Sequence, residues 1–93
     1  YVQWFDSDKL PKRWEIRTRR SGDKIAMQGG GHKSLCALMT EAKMPLASRD
    51  RLPLLVSETG ELIWAVGLRS SAAYWVDETT TSISELRYEG EKG

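Results

Sequence analysis

The residues that build cross-links, metal cages and membrane spans are scarce in this chain. One cysteine, Cys36, and one histidine, His32, are present. An internal disulfide framework is therefore excluded, and a four-ligand zinc site has too few donors. A lone thiol suits a reducing compartment, and the cytoplasm is the expected location. No apolar run approaches the roughly 20 residues that span a bilayer, and no signal-like stretch opens the chain, so no membrane role is expected. Repeats and heptads are also missing, and only Gly90 to Gly93 reads as a loose tail. What is present is ordinary for one globular domain: 93 residues, 40% hydrophobic and 29% charged.

The formal net charge of +1 hides an uneven distribution. Residues 1–8 carry −2, residues 9–24 carry +5, residues 25–57 carry +2 and residues 58–93 carry −4. A near-neutral chain can thus present a basic face to a polyanion. The plainer alternative is that these bases are solvated or paired with neighbouring acids.

The apolar patterning is of two kinds. Trp14-Glu15-Ile16-Arg17-Thr18-Arg19 alternates apolar and polar, which predicts a half-buried strand with Trp14 and Ile16 on the core and Glu15, Arg17 and Arg19 in water. Arg20 to Asp23 reads as a turn, and Lys24 to Met27 as a short second strand. After the connector Gly29-Gly30-Gly31, the spacing of Leu35, Leu38, Met39 and Ala42 predicts one main helix over about 32–43, stopped by Pro45. A short helical turn is expected over about 47–51. Leu52 to Val56 and Glu61 to Val66 read as strands joined at Thr59-Gly60; the second is apolar on both faces and so should lie centrally. Tyr74 to Val76 and Ile83 to Tyr88 are further strand candidates. The expected class is α+β: a small single domain with a sandwich-like, mostly antiparallel sheet.

Catalytic patterns are thin. His32 and Cys36 stand four positions apart, but no third group orients them, and a structural cysteine beside Leu35 is the better reading. Gly31-His32-Lys33-Ser34 imitates the end of a phosphate-binding loop, yet Gly29 lies only four positions before Lys33, too close for that motif. The Ser-Gly-Gly-x-Asp-Ser loop of ATP pyrophosphatases is absent. Gly31 to Ser34 could attract phosphate as a helix start, or Ser34 or Gly31 could simply cap the helix.

Read in order, the segments resemble the C-terminal domain of bacterial tRNA(Ile)-lysidine synthetases. The likeness rests on Phe5 to Leu10, Ile16 to Ile25, Gly31 to Leu35, Lys43-Met44-Pro45, Arg49 to Val56 and Ile63 to Arg69, and runs from about residue 5 to 88. Two positions depart from the family pattern: Cys36 stands where a basic residue is frequent, and Lys24 where arginine is frequent.

The resemblance implies a single C-terminal tRNA-binding domain over 1–93, an α+β unit that grips tRNA(Ile) on its acceptor-stem side. The parent enzyme is an ATP-dependent ligase that joins lysine to the wobble cytidine of the anticodon. ATP, with magnesium, and lysine then belong to an N-terminal ATP-pyrophosphatase domain outside this chain, which itself carries no cofactor and no activity alone. The implied partners are tRNA(Ile) and that catalytic domain. Arg17, Arg19, Arg20, Lys24, Lys33, Arg49, Arg51 and Arg69 are the candidate RNA contacts. Asp23 and Asp50 could instead each hold an arginine, and Arg69 could cap a strand end. The alternative function is a structural or homodimerisation domain that positions the catalytic half with little RNA contact.

Overall fold

A computed structural model describes residues 1–89; the tail expected at Gly90 to Gly93 lies outside the described residues. The strands are β1 (Val2–Asp6), β2 (Trp14–Arg17), β3 (Lys24–Ala26), β4 (His32–Ser34), β5 (Leu54–Ser57), β6 (Leu62–Ala65), β7 (Arg69–Ser70) and β8 (Ile83–Arg87). Helices α1 (Leu35–Glu41) and α2 (Leu46–Arg49) lie between β4 and β5, and a 3-10 turn (Ala72–Tyr74) follows β7. All pairings are antiparallel, in a four-stranded sheet ordered β2-β5-β6-β7 and two ribbons, β1-β8 and β3-β4.

The central sheet is covered on both faces, which is why Leu54 to Val56 of β5 and all of β6 are apolar at consecutive positions. Leu54, Val56, Leu62 and Ala65 face one way and pack with Ile25 of β3 and Leu35, Leu38 and Met39 of α1. Leu55, Ile63, Trp64 and Val66 face the other way and meet Phe5 of β1, Leu86, Tyr88 and Tyr74. Phe5 stands edge-on to Trp64, ring centroids 6.2 Å apart, the geometry that aromatic quadrupoles favour. A register shift between Leu55 and Val56 lets the neighbours Ile63 and Trp64 lie on the same side, which strict alternation forbids.

The expected elements are largely present, with instructive differences. The helix begins at Leu35 rather than His32. Residues 32–34 are instead drawn into strand pairing with β3, because Gly29, Gly30 and Gly31 all adopt positive φ and reverse the chain into a hairpin, with Gly30 N–H donating to the Met27 carbonyl at 3.2 Å. Ser34 accepts from Ala37 N–H at 3.0 Å and is the cap. Ala42 ends the helix, exposed, and Lys43 takes φ 55°, the left-handed position usually given to glycine. The strand expected over Tyr74 to Val76 is the end of the 3-10 turn and an extended exit from it.

The largest correction concerns β2. Its alternation is real, but Trp14 and Ile16 are 42% and 52% exposed. They share the side of the sheet that the β1-β8 ribbon covers, as the pairing of Ile16 with Leu55 requires. However, β2 is an edge strand, and the ribbon does not reach over it. Arg17, expected in water, turns to the opposite side and retains only 11% of its side-chain exposure.

Candidate nucleic-acid interface

The basic segment after β2 is organised by one carboxylate. Arg17 donates to Asp23 through both terminal nitrogens, Nη1 at 3.0 Å and Nη2 at 2.9 Å, and Nη1 also donates to the Thr18 carbonyl at 2.9 Å. Asp23 accepts the backbone N–H of Arg20 at 2.7 Å, while its own carbonyl accepts Leu35 N–H at 3.0 Å. The β2–β3 turn is therefore tied to the start of α1. Hydrogen bonding from Arg17, aided by the Arg20 amide and opposed by burial, holds the Asp23 carboxyl below its usual range. The same bond raises the already high pKa of Arg17.

Beside this knot lies an open groove of about 540 Å³. Arg19, Arg20 and Lys24 line it together with His32, Ser34 and Cys36. Arg19 Nε donates to Asp50 at 2.8 Å, which links the turn to the end of α2 and leaves the terminal nitrogens of the guanidinium for other acceptors. Arg51 follows Asp50 directly and is exposed. Cys36, free and exposed, sits on the groove wall and outside the core, contrary to the expectation of a structural thiol.

The eight candidate residues divide in two. Arg17 and Arg19 are held by Asp23 and Asp50, Lys33 by Glu41, and Arg49 by the Met44 carbonyl at 2.9 Å and Thr40 Oγ1 at 3.3 Å. Arg49 thereby staples α2 to α1. Among the described residues, Arg20, Lys24, Arg51 and Arg69 are exposed and have no side-chain hydrogen bond or ion pair. The groove brings Arg19, Arg20 and Lys24 together, and Arg51 is the chain neighbour of its lining residue Asp50. Arg69 stands apart on β7, three strand spacings or about 14 Å across the sheet from β2.

Among the described residues, three exposed cations without a side-chain partner lie outside that set: Lys43 just past α1, and the adjacent pair Lys12 and Arg13. Lys12 and Arg13 precede β2 and have no side-chain partner among the described residues. Their signal was the charge density of residues 9–24, and only the edge position of β2 distinguishes them. For metal binding, no group of three His, Cys, Asp or Glu side chains is assembled among the described residues.

The comparisons with known proteins point one way. The family model for the TilS substrate C-terminal domain matches residues 14–87. A tRNA(Ile)-lysidine synthase of Deinococcus radiodurans is 38% identical over 91 residues, covering 88% of this chain and 16% of that protein. One of Clostridium tetani is 36% identical over 93 residues, covering 99% of this chain and 20% of its own length. The chain thus spans a fifth or less of these curated relatives. A crystal structure of a TilS C-terminal domain superposes with a TM-score of 0.74 at 33% identity, over 88% of this chain and 65% of that one. Sequence and fold agree, and the chain belongs to the family of TilS C-terminal domains found in tRNA(Ile)-lysidine synthases.

Proposed function

We propose that this chain is the tRNA-binding domain of a tRNA(Ile)-lysidine synthase, and that the groove beside the β2–β3 turn receives the phosphate backbone of tRNA(Ile) on its acceptor-stem side. The observation that carries this reading is the division of labour around Asp23. Arg17 is spent on fixing the turn, and the fixed turn projects Arg20 and Lys24, both without a side-chain partner among the described residues, into one groove with Arg19. A stem of A-form RNA exposes phosphates and 2′-hydroxyls while hiding its base edges in a deep groove, so cations on a rigid frame suit it. Arginine adds bidentate geometry to charge.

Ligation of lysine to the wobble cytidine, at the expense of ATP with magnesium, is assigned to a catalytic domain outside this chain, in the cytoplasm. The residues that imitate a phosphate loop, Gly31 to Ser34, support that assignment. They run as a hairpin turn and strand β4, and Lys33 is paired with Glu41 rather than turned to the start of α1. In this reading the domain acts by holding substrate.

Binding of tRNA(Ile) to the 93-residue chain, followed across salt concentration, tests the reading. Arg20→Ala, Lys24→Ala and Arg51→Ala should each weaken binding and lower the log–log salt slope by about 0.7–0.9 per lost phosphate contact, with melting temperature unchanged. Wild-type affinity and slope in all three variants would refute it. The second reading, a structural or homodimerisation domain, draws on the four candidate cations that are held internally. It takes the lead if the wild-type chain ignores tRNA and sediments as a dimer.

A further inference from the structure

The uncovered flank of the central sheet forms a second groove, distinct from the basic one. Trp14 and Ile16 of β2 form one wall, Leu86 and Tyr88 at the end of β8 form the other, and Leu55 and Trp64 form the floor. Its volume is about 210 Å³, room for one planar ring system and too little for a helix. Arg87 also lines it, oriented by its Nε bond to Glu85 at 2.9 Å. Among the described residues no strand pairs with the outer edge of β2, so unpaired backbone N–H and C=O groups run along the opening.

We propose that this groove takes one unpaired nucleobase of the bound RNA, stacked between the Trp14 and Tyr88 walls, with Lys12, Arg13 and Arg87 serving its phosphates. The inference rests on the RNA-binding reading and extends it from duplex backbone to a single-stranded nucleotide. Three observations choose this occupant over an apolar peptide. The first is charge: Lys12 and Arg13, exposed and unpartnered among the described residues, immediately precede the Trp14 wall in the chain, and Arg87 lines the groove itself. Of the acids within β8 and β2, Glu85 is taken up by Arg87 and by the Trp4 indole N–H at 3.1 Å, and Glu15 lies on the opposite side of β2, paired across from Val56; Glu89, exposed just past Tyr88, is outnumbered by Lys12, Arg13 and Arg87.

The second is continuity with the basic groove. Trp14 and Arg19 are five residues apart along and just beyond one extended strand, at most about 18 Å. The two grooves open on opposite faces of the sheet on either side of the edge strand β2, so one RNA can lay a stem across Arg19, Arg20 and Lys24 and pass its flanking unpaired nucleotide round the free edge of β2 into this groove. The third is the chemistry of the lining. Two aromatic rings supply sequence-tolerant stacking, and the free edge of β2 supplies donors and acceptors in line for the polar edge of a base.

The test uses the 93-residue chain and two RNA hairpins alike in stem and loop, one blunt and one with a short unpaired 3′ tail containing 2-aminopurine. The tail should tighten binding roughly tenfold and its 2-aminopurine fluorescence should be quenched on stacking. Trp14→Ala should abolish both the gain and the quenching while blunt-hairpin affinity holds, and Trp14→Phe should restore most of each. The paired change Lys12→Ala/Arg13→Ala, at exposed positions that pack against nothing in the core, should cut the tail gain without altering the melting temperature. If the wild-type chain binds the blunt hairpin in a salt-dependent way but gains nothing from the tail, the nucleobase site is refuted and the phosphate groove stands. A chain that binds neither hairpin refutes both. Equal weakening of both hairpins by Trp14→Ala also overturns the site. So does weakening confined to association with the catalytic domain, which would make the groove a protein contact.

Discussion

Replacing Arg17 with methionine separates a cation that holds the fold from one that meets RNA. Methionine keeps most of the side-chain volume and removes the guanidinium. Asp23 then loses two charge-assisted bonds of 3.0 and 2.9 Å and keeps only the Arg20 amide. Its carboxylate, 10% exposed, is left nearly buried without its counter-charge. Breaking a buried pair from one side costs about 3–5 kcal/mol; some residual exposure places the expected loss near about 3 kcal/mol. For a domain of this size, that lowers the melting temperature by about 12–24 °C, a large share of a total stability of about 5–14 kcal/mol. Circular dichroism melts at neutral pH measure it directly. The pH dependence follows from the sign of the shift. The folded pKa of Asp23 is depressed, so its contribution is fully present above the unfolded value of about 3.9 and disappears as pH falls through the lower folded value. Wild type should therefore lose stability relative to Arg17→Met between about pH 4 and the acid limit, and the two should converge there. A melting temperature within about 4 °C of wild type, together with a full loss of tRNA binding, would show that Arg17 touches RNA and that this structural assignment is wrong.

Two further stability changes follow from the core and the cap. Leu38→Ala, at a position 5% exposed between α1 and the central sheet, should cost about 2–5 kcal/mol in denaturant unfolding; a loss under about 0.5 kcal/mol would mean that α1 presents another face. Ser34→Ala removes the acceptor for Ala37 N–H and should cost about 1 kcal/mol, whereas Ser34→Gly should cost only a few tenths. Weakened RNA binding by Ser34→Ala at unchanged stability would assign that hydroxyl to the ligand rather than to the cap.

Periodicity made the interior legible and left the edges obscure. Leu35, Leu38 and Met39 carry a helical stripe that packing rewards, and Leu62 to Ala65 read as central because both faces are apolar. The start of α1 was hidden because the pairing of His32 to Ser34 with β3 is a tertiary choice that no local propensity encodes. Trp14 and Ile16 show the same limit more sharply. Alternation located their side of the sheet correctly, but burial depends on whether another layer extends over that strand, and here it does not. For the basic residues, sequence gave the density of charge. It could not tell that Arg17, Arg19, Lys33 and Arg49 find partners within the fold while Arg20, Lys24, Arg51 and Arg69 do not. That distinction turns on single carboxylates, such as Asp23, six residues away in sequence from the arginine it holds.

The first and last strands of the described chain pair with each other, Val2 opposite Arg87, and the Tyr1 backbone nitrogen donates to the Tyr88 carbonyl at 2.9 Å. Residues 1 and 88 therefore lie side by side, and a pull between them would load the β1-β8 ribbon as a zipper, bond after bond, rather than in shear. The ribbon should peel at low force while the sheet built from β2, β5, β6 and β7 stays closed. The same adjacency makes the ribbon the most expensive loop to close on folding, since its partners are some eighty residues apart. Joining the ends and reopening the chain at the exposed Glu58 to Gly60 turn would convert that distant pairing into a local hairpin, and the permuted domain should fold faster to the same core.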